Sequence, residues 1–188
     1  MDSREIIARR IAKEFKDGMV ANLGFGIPNM AANYLPDGVK VILQAENGAL
    51  NFGPTPKIGE SDPDLANSGG APITLLKGAS TFDMDLSFAI TRGGHVDITA
   101  LGALECDQEG NISNWMIPGI FAPGMGGAMD LLIGAKCVDI IITDKAVMKV
   151  TDKGLVLIEV APGITVDEVI KCTDADLIIA PDVKEMEI

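Results

Sequence analysis

The sequence predicts an α/β fold in which a mostly parallel sheet is flanked by helices. The run Val39–Leu43 is β-branched or aliphatic at all but one position and lies between turn residues, which is typical of a buried parallel strand. Helical and strand patterns also alternate over the first fifty residues. The composition, 47% hydrophobic with 4% aromatic and 21 glycines, favours a buried sheet with close backbone approaches. At 188 residues, the chain is predicted to form one domain, residues 1–188.

The charge balance excludes one class of partner. The 27 acidic and 15 basic residues give a net charge of −12, which argues against binding to nucleic acid. The same charge makes the chain alone a poor host for a cofactor with several phosphates, and its apolar content predicts burial against another subunit. The N-terminus has no apolar signal region and no run reaches membrane-spanning length, so we expect no membrane association and a cytoplasmic location.

The first fifty residues are predicted to run helix, strand, helix, strand. The first helix starts at Asp2, which we expect to cap it together with Glu5. Its expected apolar stripe comprises Ile7, Ile11 and Phe15, and its expected water-facing residues are Arg9, Arg10 and Lys13. The strand Met19–Leu23 then leads into the glycine turn Gly24–Pro28, which opens the second helix.

The remaining elements follow a long irregular stretch. Residues Ala45–Pro72 are rich in Gly, Pro, Asp and Asn and are predicted to form a functional loop. Helices are predicted at Asp85–Arg92 and after a capping box formed by Thr165 and Glu168. Further strands are predicted at Ile73–Leu76, Val96–Leu101, Val138–Thr143, Val147–Val150, Leu155–Val160 and Leu177–Ala180, the fourth and fifth joined as a hairpin.

Two features combine into a prediction of acyl chemistry. Glu46 ends the predicted strand that begins at Val39 and leads into a glycine-containing turn, and ligands bind outside the carboxyl ends of strands in open α/β sheets. Gly124, Gly126 and Gly127 place three glycines in four positions. If a helix begins at Ala128, their amides can face an anion or a developing oxyanion. A nucleophile beside amide donors is what acyl transfer requires.

Other motifs in the chain indicate alternatives to acyl chemistry. Gly24-x-Gly26 with Glu46 twenty residues later has the layout of a dinucleotide-binding fingerprint, but Asn29 occupies the third glycine position. A nucleotide-dependent (NAD-type) oxidoreductase therefore remains an alternative, as does a non-catalytic subunit that only binds a partner. The single histidine, His95, and the scattered cysteines predict neither a metal site nor a thiol nucleophile.

Several motifs resemble those of family I CoA-transferases, specifically the B (beta) subunit or C-terminal half. The resemblance is carried in order along nearly the whole chain, and it is greatest to succinyl-CoA:3-oxoacid and acetate or butyrate–acetoacetate transferases. The matching segments are Asn22–Pro28, Leu43–Gly48 with Gly53-Pro54, Gly93–Asp97, Asn114–Gly119 and Gly124–Asp130.

The resemblance implies ping-pong exchange of CoA between a short-chain acyl- or 3-oxoacyl-CoA and a carboxylate. It implies Glu46 as the nucleophile, which becomes a glutamyl–CoA thioester, and the Gly127 amide as an oxyanion donor. Residues expected to contact substrate or CoA are Asn47, Gly48, Gly24, Gly26, Gly124 and Gly126. No cofactor or metal is expected, since CoA is a substrate, and the expected partner is an A (alpha) subunit in a heterodimer or heterotetramer.

The chain departs from the family pattern at two places. Asn51 stands where the family usually has glycine, and we expect the turn to survive because Asn also tolerates the left-handed conformation. At Lys136-Cys137 a family segment with a core strand is missing. Loss of that strand is predicted to leave its neighbours' backbone groups without partners.

Overall fold

The computed structural model describes residues 1–120, 124–135 and 139–188. The helices are α1 (Ser3–Ala12), α2 (Ile27–Met30), α3 (Met84–Arg92), α4 (Ala128–Ala135) and α5 (Val166–Lys171), with a 3-10 helix at Ala31–Tyr34. The strands are β1 (Val20–Leu23), β2 (Ile42–Ala45), β3 (Ala49–Gly53), β4 (Thr74–Thr81), β5 (Ile98–Ala100), β6 (Glu105–Cys106), β7 (Ile112–Ser113), β8 (Ile140–Ile142), β9 (Ala146–Thr151), β10 (Gly154–Val160) and β11 (Leu177–Glu185).

The first sheet has the strand order β4-β3-β2-β1-β5 and carries the stretch around Glu46. Strand β1 pairs in parallel with β2, as the alternating pattern of the first fifty residues predicts, and it also pairs in parallel with β5. Strands β2, β3 and β4 pair antiparallel. Ile11 and Ala12 of α1, and Phe15 just after it, are buried in one cluster with Ala21 and Leu23 of β1.

The second sheet has the order β11-β10-β9-β8, with β10 and β11 parallel and the other pairs antiparallel. Its core packs Leu157 of β10 against Val169 of α5. The predicted hairpin between β9 and β10 is confirmed. So is the capping box at the start of α5, where the Thr165 side chain accepts from the Glu168 amide and Glu168 accepts from the Thr165 amide.

The α/β class is confirmed, but the sheets are mixed rather than mostly parallel. The difference arises largely at Asn47-Gly48, where the chain turns straight back from β2 into β3 instead of entering a long loop. The predicted irregular stretch Ala45–Pro72 therefore contains a strand, Ala49–Gly53. Asn51 in that strand has φ 59°, so the expected left-handed asparagine is confirmed.

Two expectations for α1 are wrong. Asp2 is its N-terminal flanking residue but makes no side-chain capping hydrogen bond. Arg10 does not face water: it is 6% exposed and donates to both carboxylate oxygens of Glu159 in β10, at 2.6 and 2.8 Å, and to Glu14. Burial disfavours the charge of Arg10, but the hydrogen bonds to Glu159 and Glu14 outweigh burial and raise its pKa. This contact ties α1 to the second sheet.

The prediction of a missing strand at Lys136-Cys137 lies outside the described residues. Among the described residues, none of the helices combines the length and the apolar character needed to cross a bilayer.

Replacing Arg10 by Ala is expected to lower the free energy of unfolding by about 3 kcal/mol, because it leaves a largely buried carboxylate without its partner. The matched control is Arg9→Ala, which removes a more exposed arginine from the same helix and its ion pair with Glu5. That change is expected to cost about 1 kcal/mol or less. Urea denaturation of both variants tests this, and equal losses would contradict the structural role of Arg10.

Candidate functional site

Glu46 lies in the tight turn that joins β2 to β3. The Gly48 amide donates to the Ala45 carbonyl at 3.0 Å, and Ala45 pairs with Ala49 across the hairpin. Strand β2 runs parallel to β1, so Glu46 leaves the carboxyl end of a strand of the parallel part of the sheet, as predicted. The hairpin holds the backbone of Glu46 on both sides, which limits where its side chain can reach.

The glycine turn before α4 lies directly against the Glu46 carboxyl group. Helix α4 begins at Ala128, which meets the condition set by the sequence analysis for amides facing an anion. A Cβ atom at Gly127 would lie 3.1 Å from both Cδ and Oε1 of Glu46 and 3.0 Å from Cζ of Phe88. These separations are shorter than an ordinary van der Waals contact between carbon atoms. A side chain at position 127 would therefore require Glu46 or Phe88 to move by a few tenths of an ångström, which favours glycine there.

A cleft of about 420 Å³ opens at this contact. Its walls are formed by Glu46, Asn47, Ser68, Met84, Phe88, Gly126, Gly127 and Asp130. Burial raises the pKa of Glu46 because it removes water from the carboxylate. A carboxylate that is less solvated and more basic is a better nucleophile, and perturbed groups in clefts are common at functional sites.

A buried chain of polar side chains supports the strand that carries Glu46. The Asn22 amide on β1 donates to Oε1 of Gln44 at 2.6 Å, and Gln44 Nε2 donates to Ser87 Oγ on α3 at 2.7 Å. Ser87 Oγ in turn donates to the Ala45 carbonyl at 3.4 Å. All three side chains are at most 1% exposed. These hydrogen bonds therefore fix α3 against the end of β2, immediately before Glu46.

The structure brings some of the predicted site residues to the cleft. Glu46, Asn47, Gly126 and Gly127 line it together. Asn47 also donates from its side-chain amide to the Ala66 carbonyl at 2.8 Å. That bond holds the loop that brings Ser68 to the cleft wall.

The other predicted glycines are not among the lining residues. Gly48 is buried with φ +116°, and a Cβ there would lie 2.0 Å from the Phe82 carbonyl oxygen, so it serves the packing of the hairpin. Gly24 donates to the Ala100 carbonyl at the end of β5, and Gly26 is the residue before α2. The Gly124 amide donates to the Trp115 carbonyl.

Four lining residues were missed by the sequence reasoning: Ser68, Met84, Phe88 and Asp130. Met84 and Phe88 lie one helical turn apart on α3, so their spacing could have indicated a shared face. Asn22 and Gln44, polar residues within apolar strands, were also missed. Their position in buried strands is the signal that could have identified them.

Replacing Glu46 by Gln is expected to stabilise the fold increasingly as the pH rises. The folded-state pKa of Glu46 is raised above its unfolded value, so the stability that the protonated group contributes is present below the unfolded pKa and is lost as the pH rises through the folded pKa. Glutamine does not titrate. Urea denaturation of both proteins at about pH 4 and about pH 8 tests this. A stability difference that stays constant or shrinks with rising pH would contradict it.

Comparison with curated proteins identifies the family. The family described as "Coenzyme A transferase" matches residues 4–143. The acetate CoA-transferase subunit beta of Haemophilus influenzae is 44% identical over 220 residues, covering 100% of this chain and 97% of that protein. Because this alignment is longer than the 188-residue chain, it requires gaps on the side of this chain. The rat mitochondrial succinyl-CoA:3-ketoacid coenzyme A transferase 2A is 41% identical, covering 98% of this chain and 41% of that protein.

Solved structures with the same fold include an acyl-CoA transferase from Escherichia coli O157:H7 in a thioester complex with CoA, with a TM-score of 0.73 and 20% identity. The match covers 100% of this chain and 43% of that one, so the chain spans less than half of the length of that transferase. The decarboxylase AibA/AibB also matches, with a TM-score of 0.72, 16% identity, and coverage of 100% of this chain and 89% of that one. At these identities the likeness shows the fold alone.

The family match covers most of the chain. It therefore argues against the nucleotide-dependent oxidoreductase, the alternative indicated by the Gly24-x-Gly26 turn. Relatives that align with 97% or more of this chain are named as beta subunits. The chain belongs to the coenzyme A transferase family and is a beta-type subunit of it.

Proposed function

We propose that this chain is the catalytic beta subunit of an enzyme that exchanges CoA between a short-chain acyl- or 3-oxoacyl-CoA and a free carboxylate. The observation that carries the proposal is the contact between the partly buried carboxyl group of Glu46 and the Gly127 turn. Relatives named for acetate and for succinyl-CoA:3-ketoacid transfer support the substrate class.

The proposed reaction uses Glu46 as a covalent nucleophile. A carboxylate oxygen of Glu46 attacks the thioester carbonyl carbon. The carbon–sulfur bond then breaks, which releases CoA as a thiolate and leaves an acyl-glutamyl anhydride. The thiolate then attacks Cδ of Glu46, the first carboxylic acid leaves as a carboxylate, and a glutamyl–CoA thioester remains. The second carboxylate runs these two steps in reverse. No electrons are transferred to or from the substrates, so the exchange conserves thioester energy without a redox cofactor.

Each step passes through a tetrahedral intermediate whose oxygen carries a negative charge. Amide groups that precede or begin a helix lack intrahelical acceptors and can donate to such an oxygen. The Gly127 backbone lies against the reacting carboxyl group, so its amide is the proposed donor. Gly126, in the same turn, also lines the cleft.

The surroundings of Glu46 favour attack by its carboxylate and protect the product. Met84 and Phe88 give the cleft an apolar wall on one side. Removing water from the carboxylate raises its basicity, and excluding water also protects an anhydride from hydrolysis. Asn47, tied to the Ala66 carbonyl, is proposed to hold the substrate-facing loop that contains Ser68.

An alpha-type subunit is the proposed partner, in a heterodimer or heterotetramer. CoA carries several phosphate charges, whereas this chain has a net charge of −12. A partner is therefore needed to supply basic groups for the nucleotide end of CoA. Gly24, Gly26 and Gly124 are proposed to shape the backbone of the CoA-facing surface, and Gly48 to hold the hairpin that carries Glu46, rather than to contact the reacting atoms.

Replacing Glu46 by Gln in the enzyme co-expressed with its alpha subunit is expected to reduce CoA exchange by more than about 10³-fold, because an amide cannot form the anhydride. Glu46→Asp is also expected to fail, since the shorter side chain withdraws the carboxylate from a fixed attack geometry. The assay measures exchange between acetyl-CoA and acetoacetate, butyrate or succinate.

The matched control for these variants is Glu187→Gln, which changes an exposed acid near the end of the chain that does not line the cleft, and it should leave exchange unchanged. Undiminished exchange in Glu46→Gln would overturn the proposed nucleophile. Binding of the alpha subunit without any exchange by the wild-type pair would instead support the non-catalytic, partner-binding alternative.

A further inference from the structure

An ion pair between α3 and α4 lies beside the cleft and has no role in the steps above. Nε and Nη2 of Arg92, the last residue of α3, both donate to Oδ1 of Asp130 in the first turn of α4, at 2.9 and 2.7 Å. The Arg92 guanidinium also lies 5.6 Å from the centroid of the Phe88 ring. Phe88 and Asp130 both line the cleft. The arginine therefore contacts two of the side chains that surround Glu46.

Both side chains that Arg92 contacts, Asp130 and Phe88, lie next to the Gly127 turn. Asp130 follows Gly127 by three residues, so it belongs to the helical turn that starts there. Phe88 is the other side chain that limits the space at Gly127, since its Cζ would lie 3.0 Å from a Cβ at that position. A change in the spacing of α3 and α4 at Arg92 would thus move the Gly127 turn relative to its neighbours.

Helix α3 itself has a fixed position relative to Glu46. Ser87 on α3 accepts from Gln44 Nε2 and donates to the Ala45 carbonyl, and these bonds are fully buried. Helix α4 is held by apolar burial of Ala128 and Leu131, which lacks the directionality of a hydrogen bond. A charge-assisted hydrogen bond to an arginine adds geometric specificity to such packing.

We propose that Arg92 and Asp130 are positioning residues that dock α4 on α3 and thereby hold the Gly127 turn against the Glu46 carboxyl group. The inference rests on the proposed function, because it affects CoA transfer only if Glu46 and Gly127 act in it. Neither side chain takes part in bond making or breaking.

Arg92→Gln in the assembled enzyme is expected to lower kcat for CoA exchange about tenfold and to change KM for acyl-CoA by less than about twofold. Arg92→Lys keeps the charge pair and should retain most of the activity. The matched control is Arg9→Gln, because Arg9 is also half-exposed, is also ion-paired with a carboxylate, and lies 4.5 Å from the centroid of the Tyr34 ring. Arg9→Gln should leave kcat unchanged. An undiminished kcat in Arg92→Gln would overturn the inference.

A double-mutant cycle tests whether Arg92 acts through Gly127. Gly127→Ala forces a side chain into the contact with Glu46 and is expected to lower kcat about 10²–10³-fold. Once the turn has been displaced, the ion pair has nothing left to hold in place. Adding Arg92→Gln to Gly127→Ala should therefore cost less than about a further twofold. A further tenfold loss in the double variant would show that Arg92 acts independently of the turn and would overturn its positioning role.

Hydrogen exchange provides a readout that does not depend on turnover. Backbone amides of residues 124–131 should exchange faster in Arg92→Gln than in Arg9→Gln. Unchanged hydrogen-exchange rates at these amides would overturn the inference. That result would leave the proposed function standing if Glu46→Gln still abolishes CoA transfer. Faster exchange of these amides in Arg92→Gln, together with no CoA transfer by the assembled wild-type enzyme, would uphold the docking of α4 while refuting the proposed function.

Discussion

The rest of the site depends on one constraint: the Gly127 backbone lies so close to the Glu46 carboxyl group that a Cβ at position 127 would come within 3.1 Å of it. This contact explains the glycine at position 127 without any unusual dihedral angle, unlike Gly48, where φ is +116°. Burial of the same carboxyl group raises the pKa of Glu46. In the proposed chemistry, the same closeness places an amide donor where charge develops, which costs no rearrangement during the reaction.

The fold maintains this contact from both sides. On the Glu46 side, the hairpin between β2 and β3 and the buried chain Asn22–Gln44–Ser87 fix the strand end against α3. Burying amides and hydroxyls is unfavourable unless they are hydrogen-bonded. Within the described residues, no buried side-chain nitrogen or oxygen atom lacks a partner. On the Gly127 side, α4 is docked on α3 by apolar packing and by the Arg92–Asp130 ion pair.

Local patterns predicted the features that depend on short stretches of sequence. The strand end at Glu46, the start of α4 at Ala128 and the left-handed Asn51 could all be read from neighbouring residues. Strand β3 could not be found while Asn47-Gly48 was interpreted as the start of a loop, although Asn-Gly is also a hairpin signal. The burial of Arg10 depends on Glu159, 149 residues away, and the Arg92–Asp130 pair spans 38 residues, so no local pattern shows either contact.

Covalent trapping tests the central claim, that Glu46 is the nucleophile, most directly. The assembled enzyme would be incubated with acyl-CoA, treated with borohydride, digested and analysed by mass spectrometry. The account predicts either a CoA adduct or its reduced alcohol on the peptide that contains Glu46. Label found on a cysteine-containing peptide instead, or no label on the Glu46 peptide in an enzyme that exchanges CoA, would contradict it.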